Sequence, residues 1–248
     1  ELTVRRGALR FEGVSFAYPS RPEAEVLRDI ELAVEPGQML ALVGDTGAGK
    51  STLAHLLSRF YEPTAGRVLV DGVDVRRYTL QKLRRGIAIV PQDVVLFAGT
   101  LRDNVTLGAE LTDERIWTCL EAVSMRARVE ALPGGLEAAV EESGRTFSAG
   151  ERQLLSFARA LLADPPILLL DEATASVDSP TEVLLQQALE VLLQGRTSVV
   201  IAHRLSTIAR ADLIAVVEGG GIRERGTHAE LMRRGGRYAE LSRLQRQR

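Results

Sequence analysis

The sequence has little of what marks secreted, membrane-spanning or nucleic-acid-binding proteins. Its 248 residues include one cysteine, Cys119, so no internal disulfide can form and a reducing cytosol is expected. No apolar run approaches the roughly 20 residues that cross a bilayer. No signal peptide is seen, and the start at Glu1 without a methionine suggests an excised fragment. Because 31 basic and 33 acidic residues nearly cancel, charge gives no reason to expect a nucleic-acid partner.

What is present is a globular composition, and within it one stretch with a specific pattern. The residues from Gly44 to Thr52 read Gly-x-x-x-x-Gly-Lys-Ser, which is typical of a phosphate-binding loop. Lys50 can place an ammonium against the β- and γ-phosphates, and the Ser51 hydroxyl can ligate Mg²⁺. An apolar strand precedes this phosphate loop and a helix is predicted over Ser51–Arg59, so a helix N-terminus also faces the phosphates. The residues predicted to contact the nucleotide here are Gly44, Asp45, Thr46, Gly47, Ala48, Gly49, Lys50, Ser51 and Thr52.

The rest of the chain predicts an antiparallel layer, a helical middle and a βαβ rhythm. Residues 8–17 and 26–34 alternate as strands. From about 98 to 162 the pattern becomes mostly helical, with one helix opening at Thr112 and another running from Ser148 to Leu162. The last twenty residues are predicted to be helical as well. Other predicted elements are strands at Met39–Val43, Arg67–Val70, Ile87–Val90, Ile167–Leu170, Ser198–Ile201 and Leu213–Val217, a hairpin turn at Asp71–Asp74, and a helix at about 180–193.

Two adjacent carboxylates follow the apolar strand at Ile167–Leu170. At the carboxyl end of such a strand, Asp171 can hold Mg²⁺ directly or through water. Glu172 then stands one residue further on, where it can polarise a water for in-line attack on the γ-phosphorus.

Upstream of these acids, the segment Phe147–Gln153 places a small, glycine-bearing turn at the start of a helix, which is a second potential anion site. With the phosphate loop and the paired acids in order, this segment makes the chain resemble the nucleotide-binding domain of ATP-binding cassette (ABC) transporters of the exporter type. The family signature is Leu-Ser-Gly-Gly-Gln. The sequence keeps its serine and second glycine as Ser148 and Gly150. It departs from that signature at Phe147, Ala149 and Glu151.

Further motifs extend the resemblance over essentially the whole chain. Gln92 resembles the glutamine of the family's Q-loop, Asp178 belongs to a segment similar to the D-loop, and His203 resembles the switch histidine. Tyr18 matches the aromatic residue that stacks on adenine, and Glu142 matches the acid of the exporters' X-loop in looser surroundings. The resemblance implies ATP and Mg²⁺ as cofactors, with Glu172, His203, Lys50 and Gln92 as catalytic residues and Ser51, Gln92 and Asp171 as metal ligands. It also implies that Ser148, Ala149, Gly150 and Glu151 contact ATP bound to a partner domain.

The fold that the resemblance implies is an α/β P-loop NTPase (RecA-like) core with an antiparallel β layer at its N-terminal side and an inserted helical subdomain. The whole chain, residues 1–248, is then one ABC-type ATPase domain. Residues of about 1–92 and 163–248 form the ATP-binding core with its β subdomain, and about 93–162 form the helical, signature-bearing subdomain.

The function implied is that of an ATP-hydrolysing motor. Two such domains dimerise head to tail around ATP and drive export through transmembrane helices that this chain lacks, on the cytoplasmic side of a cell membrane. The departures at Ala149 and Glu151 favour a second domain from a different chain and unequal ATP sites, although a homodimer remains open. Glu151 would bring a negative charge toward a triphosphate unless Arg152 or another cation offsets it.

Other function classes fit less well. A soluble ABC-type ATPase acting on DNA or ribosomes would carry long insertions between the phosphate loop and the signature, and none is seen. A non-hydrolysing binding module would lack Glu172 or His203, and both are present. The ATPase subunit of an ABC importer is a closer alternative, against which Tyr18 and Glu142 favour the exporter. The transported substrate cannot be read from this chain.

Overall fold

The computed structural model describes residues 2–141, 146–171, 179–202 and 204–246. The chain forms two compact units and passes between them more than once. The first unit is made of Glu1–Ile87, Pro166–Glu172 and Gly195–Arg248, and the second of Ala88–Pro165 and Ala173–Gln194. The second unit thus takes in a segment after the paired acids as well as the middle of the chain.

Strands and helices alternate along most of the described chain. The strands are β1 (Leu9–Ala17), β2 (Glu25–Val34), β3 (Met39–Val43), β4 (Ala65–Val70), β5 (Val73–Asp74), β6 (Ile87–Val90), β7 (Gly99–Thr100), β8 (Ala139–Val140), β9 (Ile167–Asp171), β10 (Thr197–Ile201), β11 (Leu213–Glu218) and β12 (Gly221–Gly226). The helices are α1 (Lys50–Leu57), α2 (Leu80–Arg85), α3 (Leu101–Thr106), α4 (Asp113–Ala122), α5 (Arg126–Glu130), α6 (Ala149–Ala163), α7 (Ser179–Leu193), α8 (Leu205–Ala209), α9 (His228–Arg234) and α10 (Arg237–Arg246). Short 3₁₀ turns cover Val75–Arg77 and Gly135–Glu137.

A parallel sheet forms the centre of the first unit. Strand β3 lies between β10 and β11 and runs parallel to both, with Leu40 paired to Val199 on one side and Leu213 on the other. Strand β9 pairs with β10 in the same direction, and β12 adds an antiparallel edge beside β11. Every residue of β10 is buried, as expected for a sheet covered on both faces. The predicted parallel core is confirmed.

An antiparallel layer has the strand order β2, β1, β4, β5, and its strands come from both before and after β3 in the chain. Phe16 and Leu27 from this layer share one hydrophobic core with Leu42 of β3. Asp71 and Gly72, with φ of 51° and 75°, make the two-residue turn between β4 and β5. The hairpin predicted there is therefore confirmed, and its paired positive φ angles are those of a type I′ turn.

The same turn holds the N-terminal segment in place. The Asp71 carboxylate accepts hydrogen bonds from the backbone N–H groups of Arg5 at 2.7 Å, Arg6 at 3.0 Å and Ala8 at 2.9 Å. Burial alone would raise the pKa of Asp71, but these backbone donors outweigh it and the pKa is lowered. The carboxylate thus ties the residues before β1 to the β4–β5 hairpin.

The second unit is mostly helical, as predicted. Helix α6 packs against α3, α4 and α7, and its buried face includes Leu154 and Leu155. Thr112 caps α4 and Ser148 caps α6, each accepting a hydrogen bond from a backbone N–H three residues on. Strands β7 and β8 form a small antiparallel pair that the sequence did not predict.

The C-terminal region is mostly helical, as predicted, and is divided into two helices. Helices α9 and α10 are separate, because Gly235 adopts a left-handed conformation with φ of 67° and ends α9. Strand β12, which pairs with β11 through Ile214 and Gly226, was also not predicted. The predicted helical character of this region is confirmed for α9 and α10, and the break between them was not predicted.

Candidate functional site

The phosphate loop between β3 and α1 has the backbone shape that its glycines predict. Gly44 and Gly49 have φ of 151° and 106°. A Cβ atom at Gly44 would clash with the carbonyl oxygen of Val217 on β11, and one at Gly49 would lie 2.7 Å from Leu27 Cδ2. Both positions therefore require glycine, and the curled backbone leads directly into the N-terminus of α1.

Lys50, the first residue of α1, is only 6% exposed. Its Nζ donates hydrogen bonds to the carbonyl oxygens of Gly44 at 2.8 Å and Asp45 at 2.9 Å. Burial lowers the pKa of Lys50, and the charges of Asp45 and Asp171 oppose this shift only in part. An anion bound beside the ammonium would stabilise its charged form, so this site favours a ligand with several negative charges.

Two side chains with oxygen atoms that could bind a metal lie at the same edge of the sheet. Asp171 ends β9 and pairs with Ile201 of β10, which pairs in turn with Leu42 of β3, so the carboxylate lies at the strand ends beside the phosphate loop. Ser51 is exposed in the first turn of α1. A hydroxyl and a carboxylate are the hard ligands that Mg²⁺ prefers.

These donors do not form a protein cage for a metal. Within the parts of the chain that the structure describes, no group of three or more His, Cys, Asp or Glu side chains could hold a metal ion. Mg²⁺ is commonly bound by one or two protein ligands together with water and substrate phosphates. The residues present therefore fit a magnesium ion carried with a nucleotide.

Tyr18 lies beside α1 and is held in place on several sides. Its hydroxyl is 3.0 Å from that of the buried Thr52. Its ring makes edge contacts with Phe16, at a centroid distance of 4.9 Å, and with Tyr61, at 5.2 Å. The side chain is half-buried, so part of a fixed aromatic surface remains accessible near the phosphate loop.

The signature segment, Ser148–Glu151, begins α6 in the second unit. The Ser148 hydroxyl accepts a hydrogen bond from the Glu151 N–H at 3.1 Å, and Glu151 Oε2 accepts one from the Ser148 N–H at 2.8 Å. Glu151 Oε1 accepts a hydrogen bond from Arg128 Nε at 2.8 Å. Both carboxylate oxygens are thus engaged, and the cation that offsets the charge is Arg128. Arg152, the candidate named from the sequence, instead donates to the Phe147 carbonyl at 2.7 Å.

Among the described residues, Arg128 has a role at the site that the sequence did not indicate. It is one of two arginines on the short helix α5, and nothing in their spacing separates Arg128 from Arg126. The contact with Glu151 arises from tertiary packing, so no local sequence signal could have found it.

The predicted site residues divide between the two units. The first unit holds the phosphate loop, Tyr18 and Asp171, and the second holds the signature segment and Gln92, which is exposed just after β6. Four predicted residues lie outside the described residues: Glu142, Glu172, Asp178 and His203.

Strand β3 leads into a glycine-rich loop and then into a helix that begins with a buried lysine. Strand β9 of the same sheet ends in Asp171. Together these elements define a P-loop nucleotide-binding protein. Residues 27–175 match the family described as ABC transporter. The chain therefore belongs to the ABC transporter family, and it corresponds to the nucleotide-binding domain of the exporter type, the part that hydrolyses ATP in this family.

Individual relatives support the same assignment. The chain is 49% identical over 240 residues to an ATP-dependent lipid A-core flippase of Burkholderia pseudomallei, covering 96% of this chain and 40% of that protein. It is 44% identical over 248 residues to the ABC multidrug transporter MDR2 of Trichophyton equinum, covering 99% of this chain and 19% of that one. The solved structure of a bacterial Atm1-family ABC exporter with ATP bound matches with a TM-score of 0.90 at 40% identity, covering 98% of this chain and 42% of the other.

The chain spans less than half the length of each of these proteins. Among the described residues, no helix combines the length and apolar character needed to cross a membrane.

Proposed function

We propose that this chain is the motor domain of an ABC exporter. It binds Mg-ATP, associates head to tail with a second nucleotide-binding domain, and hydrolyses ATP to drive export of a substrate across a membrane. The observation that carries this proposal is the buried Lys50 in the phosphate loop, at the sheet edge where Asp171 also ends its strand. The domain works on the cytoplasmic side of a cell membrane, attached to transmembrane helices outside this chain.

Nucleotide binding is assigned to the first unit. The N–H groups of the phosphate loop and the Lys50 ammonium bind the β- and γ-phosphates. The Tyr18 ring stacks on the base. Ser51 and Asp171 would hold Mg²⁺, which supplies positive charge that polarises the transferred phosphoryl group. A metal-binding role for Gln92, in the second unit, is proposed from its resemblance to the family's Q-loop glutamine alone.

Hydrolysis is assigned to residues just beyond the described strand ends. Glu172 accepts a proton from the attacking water, and His203 donates a hydrogen bond toward the γ-phosphate. Asp178, in the segment similar to the D-loop, contacts the nucleotide. These roles are supported by sequence position: Glu172 directly follows β9, His203 comes two residues after β10, and Asp178 lies in the segment that follows β9.

We propose the boundaries between the ATP-binding core and the helical subdomain that the sequence motifs predict. Residues of about 1–92 and 163–248 form the ATP-binding core with its β subdomain, and about 93–162 form the helical, signature-bearing subdomain of one ABC-type ATPase domain.

The second domain is proposed to come from a different chain, with unequal ATP sites. Ala149 supports this assembly because it replaces a glycine of the family signature. Its methyl group occupies space that glycine would leave open for the close approach of a phosphate. The charge of Glu151 does not disfavour a triphosphate here, because Arg128 offsets that charge. A homodimer with a tolerated variant signature is the competing assembly.

Nucleotide binding can be tested by thermal melting of the chain with increasing Mg-ATP. Binding to the folded state stabilises it by about 2.7 kcal/mol at one hundred times the dissociation constant. Lys50→Ala should lose most of this stabilisation because the buried ammonium is removed. Lys82→Ala, at the other lysine of the chain, should keep it. A wild-type melting temperature that does not respond to Mg-ATP would exclude the proposed function.

The unequal sites require the full transporter. Each site's catalytic carboxylate is replaced in turn, and ATP turnover is measured. We expect Glu172→Gln to abolish most turnover and the change at the opposing site to have a small effect. An active complex with one subunit type and equal turnover at both sites would contradict the heterodimer.

A further inference from the structure

The carboxylate of Glu151 in the signature segment is held by two partners. One oxygen caps the N-terminus of α6 through the Ser148 N–H, and the other accepts a hydrogen bond from Arg128. The ion pair is partly buried, with the two side chains 37% and 25% exposed. The glutamate therefore acts within the helix start and does not present an uncompensated charge to its surroundings.

Arg128 makes further contacts with the residues that lead into α6. It donates a second hydrogen bond to the Thr146 carbonyl at 3.1 Å, and its guanidinium lies 5.6 Å from the centre of the Phe147 ring. One planar side chain thus contacts three positions around the helix start, which suits the fork geometry of arginine and would not suit lysine.

We propose that Arg128 is a positioning residue for the signature segment, acting through Glu151 on the ATP that this segment contacts. The proposal rests on the proposed function and names a further residue for it. The first N–H groups of a helix have no partner inside the helix, so those of Ala149 and Gly150 point out of its end. Their direction depends on the capping box that Arg128 holds closed. Arg128 also keeps the Glu151 charge neutralised beside a triphosphate.

The chain offers a matched control on the same helix. Arg126 makes two ion pairs, with Glu121 at 2.9 Å and Glu130 at 2.8 Å, whereas Arg128 makes one, with Glu151. The Arg126 guanidinium also lies over an aromatic ring, that of Trp117, at 5.7 Å. Arg126→Ala therefore removes ion pairs and a ring contact from the same helix, but no contact to the signature segment.

The test measures ATP turnover of the full transporter containing this chain, over a range of ATP concentrations. ATP must occupy the site that this segment contacts before the two domains associate, so weaker binding there shifts the concentration dependence even where that site itself turns over slowly. For Arg128→Ala we expect the concentration that gives half-maximal turnover to rise about tenfold, equivalent to about 1.4 kcal/mol of lost binding. For Arg126→Ala we expect a change of less than about twofold. Equal values for the two variants would overturn the proposal.

A second comparison separates positioning from a general loss of structure. In a Glu151→Gln background the uncompensated charge cannot arise, and the amide oxygen can still accept from the Ser148 N–H. Adding Arg128→Ala to that background should then shift half-maximal turnover by less than about threefold, because the coupling partner is gone. A full tenfold shift in that background would show that Arg128 does not act through Glu151.

Failure of the proposed function gives a different result. If Lys50→Ala leaves turnover unchanged, the assignment of the phosphate loop is wrong, whatever the two arginine variants do. If Lys50→Ala abolishes turnover while Arg128→Ala behaves like Arg126→Ala, only the role of Arg128 is lost.

Discussion

Replacing Asp71 with asparagine should destabilise the fold through the loss of one charge and of one hydrogen-bond acceptor oxygen. Asp71 occupies the first position of a two-residue turn with φ of 51°. Asparagine tolerates this left-handed conformation as well as aspartate does, so the turn itself should persist. The backbone hydrogen bond from the Asp71 N–H to the Ala8 carbonyl, at 2.8 Å, is also unaffected.

The magnitude follows from the three hydrogen bonds of the side chain. Oδ2 accepts from Arg5 and Arg6, and Oδ1 accepts from Ala8. The asparagine amide has one acceptor oxygen, so it can keep either the two hydrogen bonds of Oδ2 or the one of Oδ1. Hydrogen bonds to a charged group contribute about 1.5–3 kcal/mol and neutral ones about 0.5–1.5 kcal/mol. Because Arg5 and Arg6 are solvent-exposed and water can replace their partner, we expect a net loss of about 1–2 kcal/mol in the free energy of unfolding.

The loss should depend on pH in a defined direction. The pKa of Asp71 is lowered in the folded protein, so its contribution is complete above the unfolded pKa of about 3.9. It is lost as the pH falls through the lower folded pKa. The difference between wild type and Asp71→Asn should therefore stay level from about pH 7 to about pH 5 and shrink below about pH 4.

Urea unfolding at several pH values measures this difference. Asp93→Asn removes an exposed carboxylate and serves as the control, with an expected change below about 0.5 kcal/mol. The reasoning is refuted if Asp71→Asn is as stable as wild type at pH 7, or if its deficit persists undiminished in acid.

Three further predictions concern the nucleotide site. Gly44→Ala should abolish Mg-ATP binding in a thermal-shift titration because its Cβ would clash with the Val217 carbonyl; retained binding would contradict the assigned loop geometry. Tyr18→Phe keeps the ring and loses only the hydroxyl contact with Thr52, so Mg-ATP affinity should change little by calorimetry. Tyr18→Ala should weaken binding by on the order of 1–3 kcal/mol, and equal affinities for the two variants would argue against stacking. Glu172→Gln should preserve nucleotide binding and sharply reduce turnover in the full transporter, whereas wild-type turnover would assign the base elsewhere.

The parts of the fold that sequence predicted well are those determined by local rules. The strand at Met39–Val43 is a short apolar run, and it meets a loop whose glycines have little alternative to a tight curl. Ser148 and Thr112 start helices because their side chains can cap the N–H groups three residues on. Such signals depend on neighbours in the chain, so they can be read without the fold.

The parts that sequence missed depend on contacts between distant segments. Strand β12 is mostly polar and glycine-rich, and it becomes a strand because β11 provides a partner edge. Arg126 and Arg128 are the same residue type on the same helix, and only packing brings Arg128 to Glu151. Gly235 could have indicated a helix end, but the arginine-rich pattern on both sides of it favoured helix throughout.

The position of β3 between β10 and β11 has a consequence for synthesis on the ribosome. Both neighbours lie near the other end of the chain, since Met39 pairs with Ser198 and Leu40 with Leu213. A nascent chain therefore exposes the apolar β3 for most of its elongation, when chaperone protection matters most. A product that stops before Thr197 lacks both flanking strands and cannot hold the phosphate loop in its final shape. A chain that binds nucleotide must therefore already contain β10 and β11, so ATP binding indicates that these strands have been translated and have paired with β3.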